Sequence, residues 1–173
     1  LTGVAGATGA AGYSGTLSKI VLSYQGTNSL SANSIIGTAM TVRMSDGSIT
    51  TAIGPLVFNF TNGAASLGLD SGSKSIDSWY YLYAVPVGVA GNNFTLRASL
   101  NNPITSGPNG FSVYAYLGAF RTDVSGNILQ FLQRGHRFYY TLPAREFARS
   151  TVPSGLVQSI QMKYAPATAG VAL

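Results

Sequence analysis

A chain of 173 residues that is 46% hydrophobic and 11% aromatic has the length and the apolar content to bury a core, which excludes the disordered class of low hydrophobicity and high charge. Only 9% of residues are charged, the net charge is +5, and there is no cysteine, so disulfides, thiolate metal sites and cysteine nucleophiles are all excluded. No stretch reaches the roughly 18–20 apolar residues of a membrane-spanning helix.

The first segment is the most regular. Gly3, Gly6, Gly9, Gly12 and Gly15 recur at a strict period of three. Every third residue of a collagen triple helix faces a crowded axis where only glycine fits. Residues 1–17 are therefore expected to form a short collagen-like Gly-X-Y stalk held by a trimeric head. A flexible Gly/Ala linker is the competing assignment, because no proline stiffens the run. The opening residue is Leu1, and the chain is expected to start inside a longer protein.

From Lys19 the hydrophobic period changes to two, the period of a strand. Lys19 to Tyr24 suits a strand, and Ser31 to Ser34 read as a turn. Ala39 to Met44 alternates up to Ser45-Asp46-Gly47, a hairpin signal, and Ser48 to Ile53 is the expected partner strand. Gly54-Pro55 breaks it before a further strand, Leu56 to Phe60. A polar stretch with Asp70 and Asp77 leads into the strongest strand signal, Trp79 to Val85, whose aromatic content suits a central position. Phe94 to Ala98 follows, then a loop rich in Asn, Pro and Gly from Asn101 to Gly110. Phe111 to Arg121 reads as one long alternating strand, turned back at Asp123 to Asn127. Ile128 to Leu132 and His136 to Tyr140 read as the last strands of the head. Short strands separated by turns, with no amphipathic helix, predict an all-β fold, an antiparallel β-sandwich of jelly-roll type over residues 18–142. Residues 143–173 are assigned to a C-terminal extension, the possible start of a further β-domain.

Catalytic chemistry finds few candidates. His136, the one histidine, lies among Arg134 and Arg137 with no carboxylate close in sequence, and it reads as a strand or rim residue. A polysaccharide-degrading enzyme needs two carboxylates across the scissile bond. The acids are Asp46, Asp70, Asp77, Asp123 and Glu146. Asp46 and Asp123 sit in turn signals and Glu146 in a basic stretch. Asp70 and Asp77 frame the loop before Trp79, which makes Asp70, Asp77 and Trp79 the candidate ligand contacts. Arg134, Arg137, Arg145 and Arg149 form a candidate patch for an anionic partner. Their mixture with Phe138, Tyr139, Tyr140 and Phe147 is the kind that holds single-stranded nucleic acid, but alternating Phe and Tyr are assigned to the core instead. No phosphate-binding glycine loop, zinc motif or calcium loop is present, and no cofactor is expected.

Four segments occur in an order and spacing that resemble a known module. They are Leu67-Gly68-Leu69-Asp70-Ser71-Gly72-Ser73; Ser78-Trp79-Tyr80-Tyr81-Leu82-Tyr83; Ala115-Tyr116-Leu117-Gly118-Ala119-Phe120-Arg121-Thr122-Asp123 with Ser125-Gly126-Asn127; and Phe131-Leu132-Gln133-Arg134-Gly135. The run from about Leu30 to Tyr140 resembles structural proteins of tailed bacteriophages. The resemblance implies a non-enzymatic virion component exposed on the capsid or tail: a head fibre, decoration protein or tail fibre. Its expected partners are two further copies of itself in a homotrimer, other virion proteins, and a host-surface glycan or receptor. No catalytic residue is carried over from that family.

Overall fold

The computed structural model describes residues 20–35, 39–62, 68–88, 93–134 and 137–141. The glycines at 3, 6, 9, 12 and 15, and with them the expected stalk, lie outside the described residues, as does the C-terminal extension with Arg145 and Arg149.

The described residues form ten strands and no helix. These are β1 (Ile20–Gly26), β2 (Ser29–Ser34), β3 (Ala39–Arg43), β4 (Ile49–Ile53), β5 (Leu56–Asn59), β6 (Trp79–Pro86), β7 (Phe94–Ser99), β8 (Ala115–Arg121), β9 (Phe131–Arg134) and β10 (Arg137–Tyr140). They make a five-stranded sheet in the order β10-β9-β1-β2-β5, a two-stranded hairpin β3-β4 and a three-stranded sheet β7-β6-β8. Every pairing between these strands is antiparallel. The expected all-β, antiparallel architecture is thus present.

Three stretches differ from the sequence reading, one of them the strand expected over Ile128 to Leu132, where β9 runs instead over Phe131–Arg134. Ser31–Ser34 is not a turn but the last four of the six residues of β2, and the chain reverses earlier, at Thr27-Asn28. β2 is paired on both sides, by β1 and β5. Backbone pairing there holds small polar residues that have little strand preference of their own. The long strand expected from Phe111 begins only at Ala115. Residues 111–114 belong instead to the loop that leads into it.

The turns follow local chemistry. Asp46 Oδ1 accepts from the Ser48 amide and hydroxyl in the β3–β4 hairpin, and Gly47 supplies the positive φ of 88°. Those Ser48 hydrogen bonds hold the Asp46 carboxyl below its usual range. After β8, Asp123 Oδ1 accepts from the amides of Ser125 and Asn127. Burial works to raise the Asp123 pKa, but these hydrogen bonds outweigh it and the net shift is downward.

One continuous apolar core lies against all three sheets. Leu22, Leu30, Ala32 and Phe58 come from the five-stranded sheet, Met40, Val42 and Ala52 from the hairpin, and Tyr80, Leu82, Leu96 and Phe120 from the three-stranded sheet. Its centre is aromatic. Phe120 stacks on Tyr80 at 5.6 Å, and Phe60 meets Phe58 and Tyr80 edge-on, each at 5.0 Å.

β6 is buried on both faces, which explains its unbroken aromatic and aliphatic run. Tyr80, Leu82 and Ala84 enter the main core. Tyr81, Tyr83 and Val85 point the other way and begin a second, smaller cluster. This second face positions the candidate site.

Candidate functional site

The second face of the three-stranded sheet carries two arginines and a run of tyrosines. On β7 the residues opposite Val85, Tyr83 and Tyr81 are Thr95, Arg97 and Ser99. On β8, Tyr116 faces Tyr83, and Ala119 faces Tyr81. Tyr116 and Ala119 are three residues apart, so a regular strand would put them on opposite faces. The register shift between Leu82 and Tyr83 removes that conflict, pairing Leu82 with Gly118 and Tyr83 with Tyr116. The bulge therefore brings Tyr116 onto the tyrosine face. There Tyr83 lies 6.0 Å from Tyr116 and meets Tyr114 edge-on at 5.4 Å.

The loop before β8 is tied to this face by polar contacts. The Tyr83 hydroxyl donates to the Asn101 carbonyl at 2.8 Å. Asn101 Nδ2 donates to Asn109 Oδ1 at 2.9 Å, and Asn109 Nδ2 donates to Ser71 Oγ at 2.8 Å. The Asn109 amide in turn donates to Asp70 Oδ2. Gly107 lies against the Tyr114 ring so closely that a Cβ there would come within 2.4 Å of it. Burial, assisted by Tyr114, Tyr116, Tyr81 and Asp70 nearby, pushes the Tyr83 hydroxyl far above the usual tyrosine range, so it stays a neutral donor.

The two arginines have different surroundings. Arg121 is 2% exposed and its Nη2 donates to the Asp77 carboxylate, while the guanidinium lies 5.9 Å from the centre of the Trp79 ring. Trp79 meets Tyr140 at 6.4 Å. Burial raises the Tyr140 pKa, with Arg121 pulling weakly the other way. Asp77 is fixed by its backbone as well. It has a positive φ of 48°, and its amide donates to the Asp123 carbonyl at 2.8 Å. Arg97 lies 5.9 Å from the centre of the Phe111 ring. Burial lowers the Arg97 pKa, and the Asp70 charge pulls it back up. Among the described residues, Nε and Nη1 of Arg97 and the Thr95 hydroxyl are enclosed and meet no hydrogen-bond partner.

The candidate contacts taken from the sequence therefore separate. Asp77 and Trp79 come together around Arg121, whereas Asp70 joins the loop network on the Arg97 side. Arg134 and Arg137 are cross-strand partners on β9 and β10. Sequence reasoning passed over Arg97. Its one signal was a cation in the middle of the apolar strand Phe94-Thr95-Leu96-Arg97-Ala98, at a position that alternation assigns to a sheet face.

Chemically, the face holds two buried guanidinium groups and a buried tyrosine hydroxyl beside aromatic rings. Asp70 and Asp77 serve there as hydrogen-bond acceptors for loop and arginine groups. Among the described residues no group of three or more His, Cys, Asp or Glu side chains is placed to hold a metal ion. Comparison of the chain with protein-family models, with curated proteins and with solved structures finds no match to any of them.

Proposed function

We propose that this protein is a non-enzymatic virion structural module: a trimeric fibre or decoration head on the exterior of a phage particle, which attaches the particle to a host surface or to other virion proteins. In this reading the head is a β-sandwich of jelly-roll type, and residues 1–17 are its collagen-like stalk.

The observation that carries the reading is an exposed apolar sheet face. Tyr139, Leu132, Ser23, Ser31 and Val57 are successive cross-strand partners over the five strands of the large sheet. Leu132 is 53% exposed and its neighbour Tyr139 is exposed too, while Val57 is exposed at the far edge of the row, beyond Ser31, which is buried and accepts from the Gln25 side chain. On the β3–β4 hairpin Ile49 and Ile53 are exposed, Ile53 at 75%. Apolar groups aligned on sheet faces mark surfaces that meet another molecule. The occupant proposed here is a second copy of the chain. A surface with so few charges sets little electrostatic repulsion against packing copies together. The order of the motif segments and the three-residue glycine period support the same assignment.

The mass in solution tests it. Light scattering on the purified chain is expected to give about three times 18.0 kDa. A stable monomer would overturn both the trimer and the collagen reading of Gly3 to Gly15.

A further inference from the structure

We infer that residues 101–111 form a strap that lifts off the second face of the three-stranded sheet while the strands beneath it stay paired, so that Arg97 is covered only part of the time. The motion goes beyond the proposed function and does not depend on how many copies assemble.

The strap is lightly held. Among the described residues, its backbone–backbone hydrogen bonds are local, from Thr105, Ser106 and Gly107 to the Asn102 carbonyl. Its ties to the rest of the chain run through side chains. The Tyr83 hydroxyl donates to the Asn101 carbonyl, and the Asn101 amide donates to Ser99 Oγ. Asn109 donates to the Asp70 carboxylate through its amide and to Ser71 Oγ through Nδ2, both at the surface. Little apolar area is committed either. Ile104 is 55% exposed and Phe111 is half-buried, which leaves Pro103 and Pro108 as the buried apolar side chains of the strap. Segments with few buried apolar contacts and exposed hydrogen bonds open well before the whole protein unfolds.

The two feet of the strap are firmer. Before it, Ser99 is paired with Tyr81 in the sheet. After it, the Ser45 amide donates to the Tyr114 carbonyl at 2.8 Å, and the Tyr114 amide donates to Ser45 Oγ at 3.2 Å. The close fit of Gly107 is against Tyr114, at this second foot, where a pivot leaves it in place.

What lies beneath favours lifting. Arg97 is 8% exposed, with the Phe111 ring centre 5.9 Å from its guanidinium. The closed strap keeps water from Nε and Nη1 and gives neither of them an acceptor. A buried donor left unmatched is a cost of the closed state, and lifting removes it by hydration. Arg121 makes the contrast. It is buried as deeply, but it is held by the Asp77 carboxylate and has no strap over it to shed.

The test is residue-resolved labelling of the folded chain with phenylglyoxal, which attacks guanidinium groups that it can reach. Arg43, exposed on β3, sets the rate for an open arginine, and Arg121 the rate for one that only unfolding uncovers. Arg97 is expected to react about tenfold or more slower than Arg43 and about tenfold or more faster than Arg121. Asn109→Ala cuts the tie to Ser71 and should raise Arg97 labelling about fivefold, with Arg121 unchanged. Arg97→Met removes the unmatched charge from the closed state, so deuterium uptake over residues 101–111 should slow severalfold while uptake over β6 holds. Arg97 matching either Arg43 or Arg121, a labelling rise in Asn109→Ala that is absent or shared with Arg121, or strap uptake unchanged in Arg97→Met would overturn the inference.

Discussion

Asp77 holds Arg121 by being held itself. Its left-handed backbone, with a φ of 48°, is a conformation that non-glycine residues seldom adopt, and Asp and Asn adopt it most readily. That backbone places the carboxylate against a guanidinium with almost no contact with water. Removing one partner of a buried pair costs about 3–5 kcal/mol, chiefly because the other charge is left unmatched. Asp77 is 32% exposed, so solvent recovers part of this. Asp77→Ala is therefore expected to cost about 2–4 kcal/mol in urea denaturation. Asp77→Asn keeps an acceptor and tolerates the backbone, so it should lose about half as much. At this scale the sequence was only partly legible. Asp77 and Trp79 were marked as site residues, and they do meet, but their link is Arg121, which is 42 positions away from Trp79 in the chain and adjacent to it through the β6–β8 register. Arg97 carries only the weak local signal of a cation within a strand run, and its burial is set by the loop and by β6, which lie far from it in the chain.

At the scale of elements, alternation was the readable signal. β3 and β4 fall on the alternating segments, since each packs one face against the core, and β6 falls on the aromatic run, since it is buried on both faces. In two of the misassigned stretches something other than alternation decides. β2 is set by pairing on both sides, and the start of β8 by a loop that must cross the tyrosine face. Gly107 shows how tightly that loop is fitted. It has a positive φ of 66° and no room for a side chain against Tyr114. Gly47 also has a positive φ, but its side-chain direction is open space. Gly47→Ala is expected to cost about 1 kcal/mol, the backbone penalty alone. Gly107→Ala should cost roughly 2–4 kcal/mol, adding overpacking to the same backbone penalty. Paired thermal melts of the two variants separate these contributions. Equal losses would mean that Tyr114 moves aside without cost.

For the whole molecule, the outer row of the five-stranded sheet, with Leu132 and Tyr139 exposed side by side, is a feature that no single strand makes. Leu132→Asp puts a charge next to one end of the outer row, between Ser23 and Tyr139. If copies meet there, the variant should keep its circular dichroism spectrum and fall to a mass near 18.0 kDa. An unchanged assembly would move the contact to another surface. The sequence was legible in fold class here and silent on placement. The spacing of short strands and turns gives an all-β fold, but which face stays uncovered depends on register, and register is a property of pairs of strands. The same pairing gives the molecule an optical handle. The chain has one tryptophan, Trp79, at the head of β6, with the Arg121 cation near its ring and Tyr140 of the last described strand beside it. Its emission therefore belongs to one address, the junction of the large and small sheets, and any event that parts β6 from β10 is written in a single fluorophore without a label.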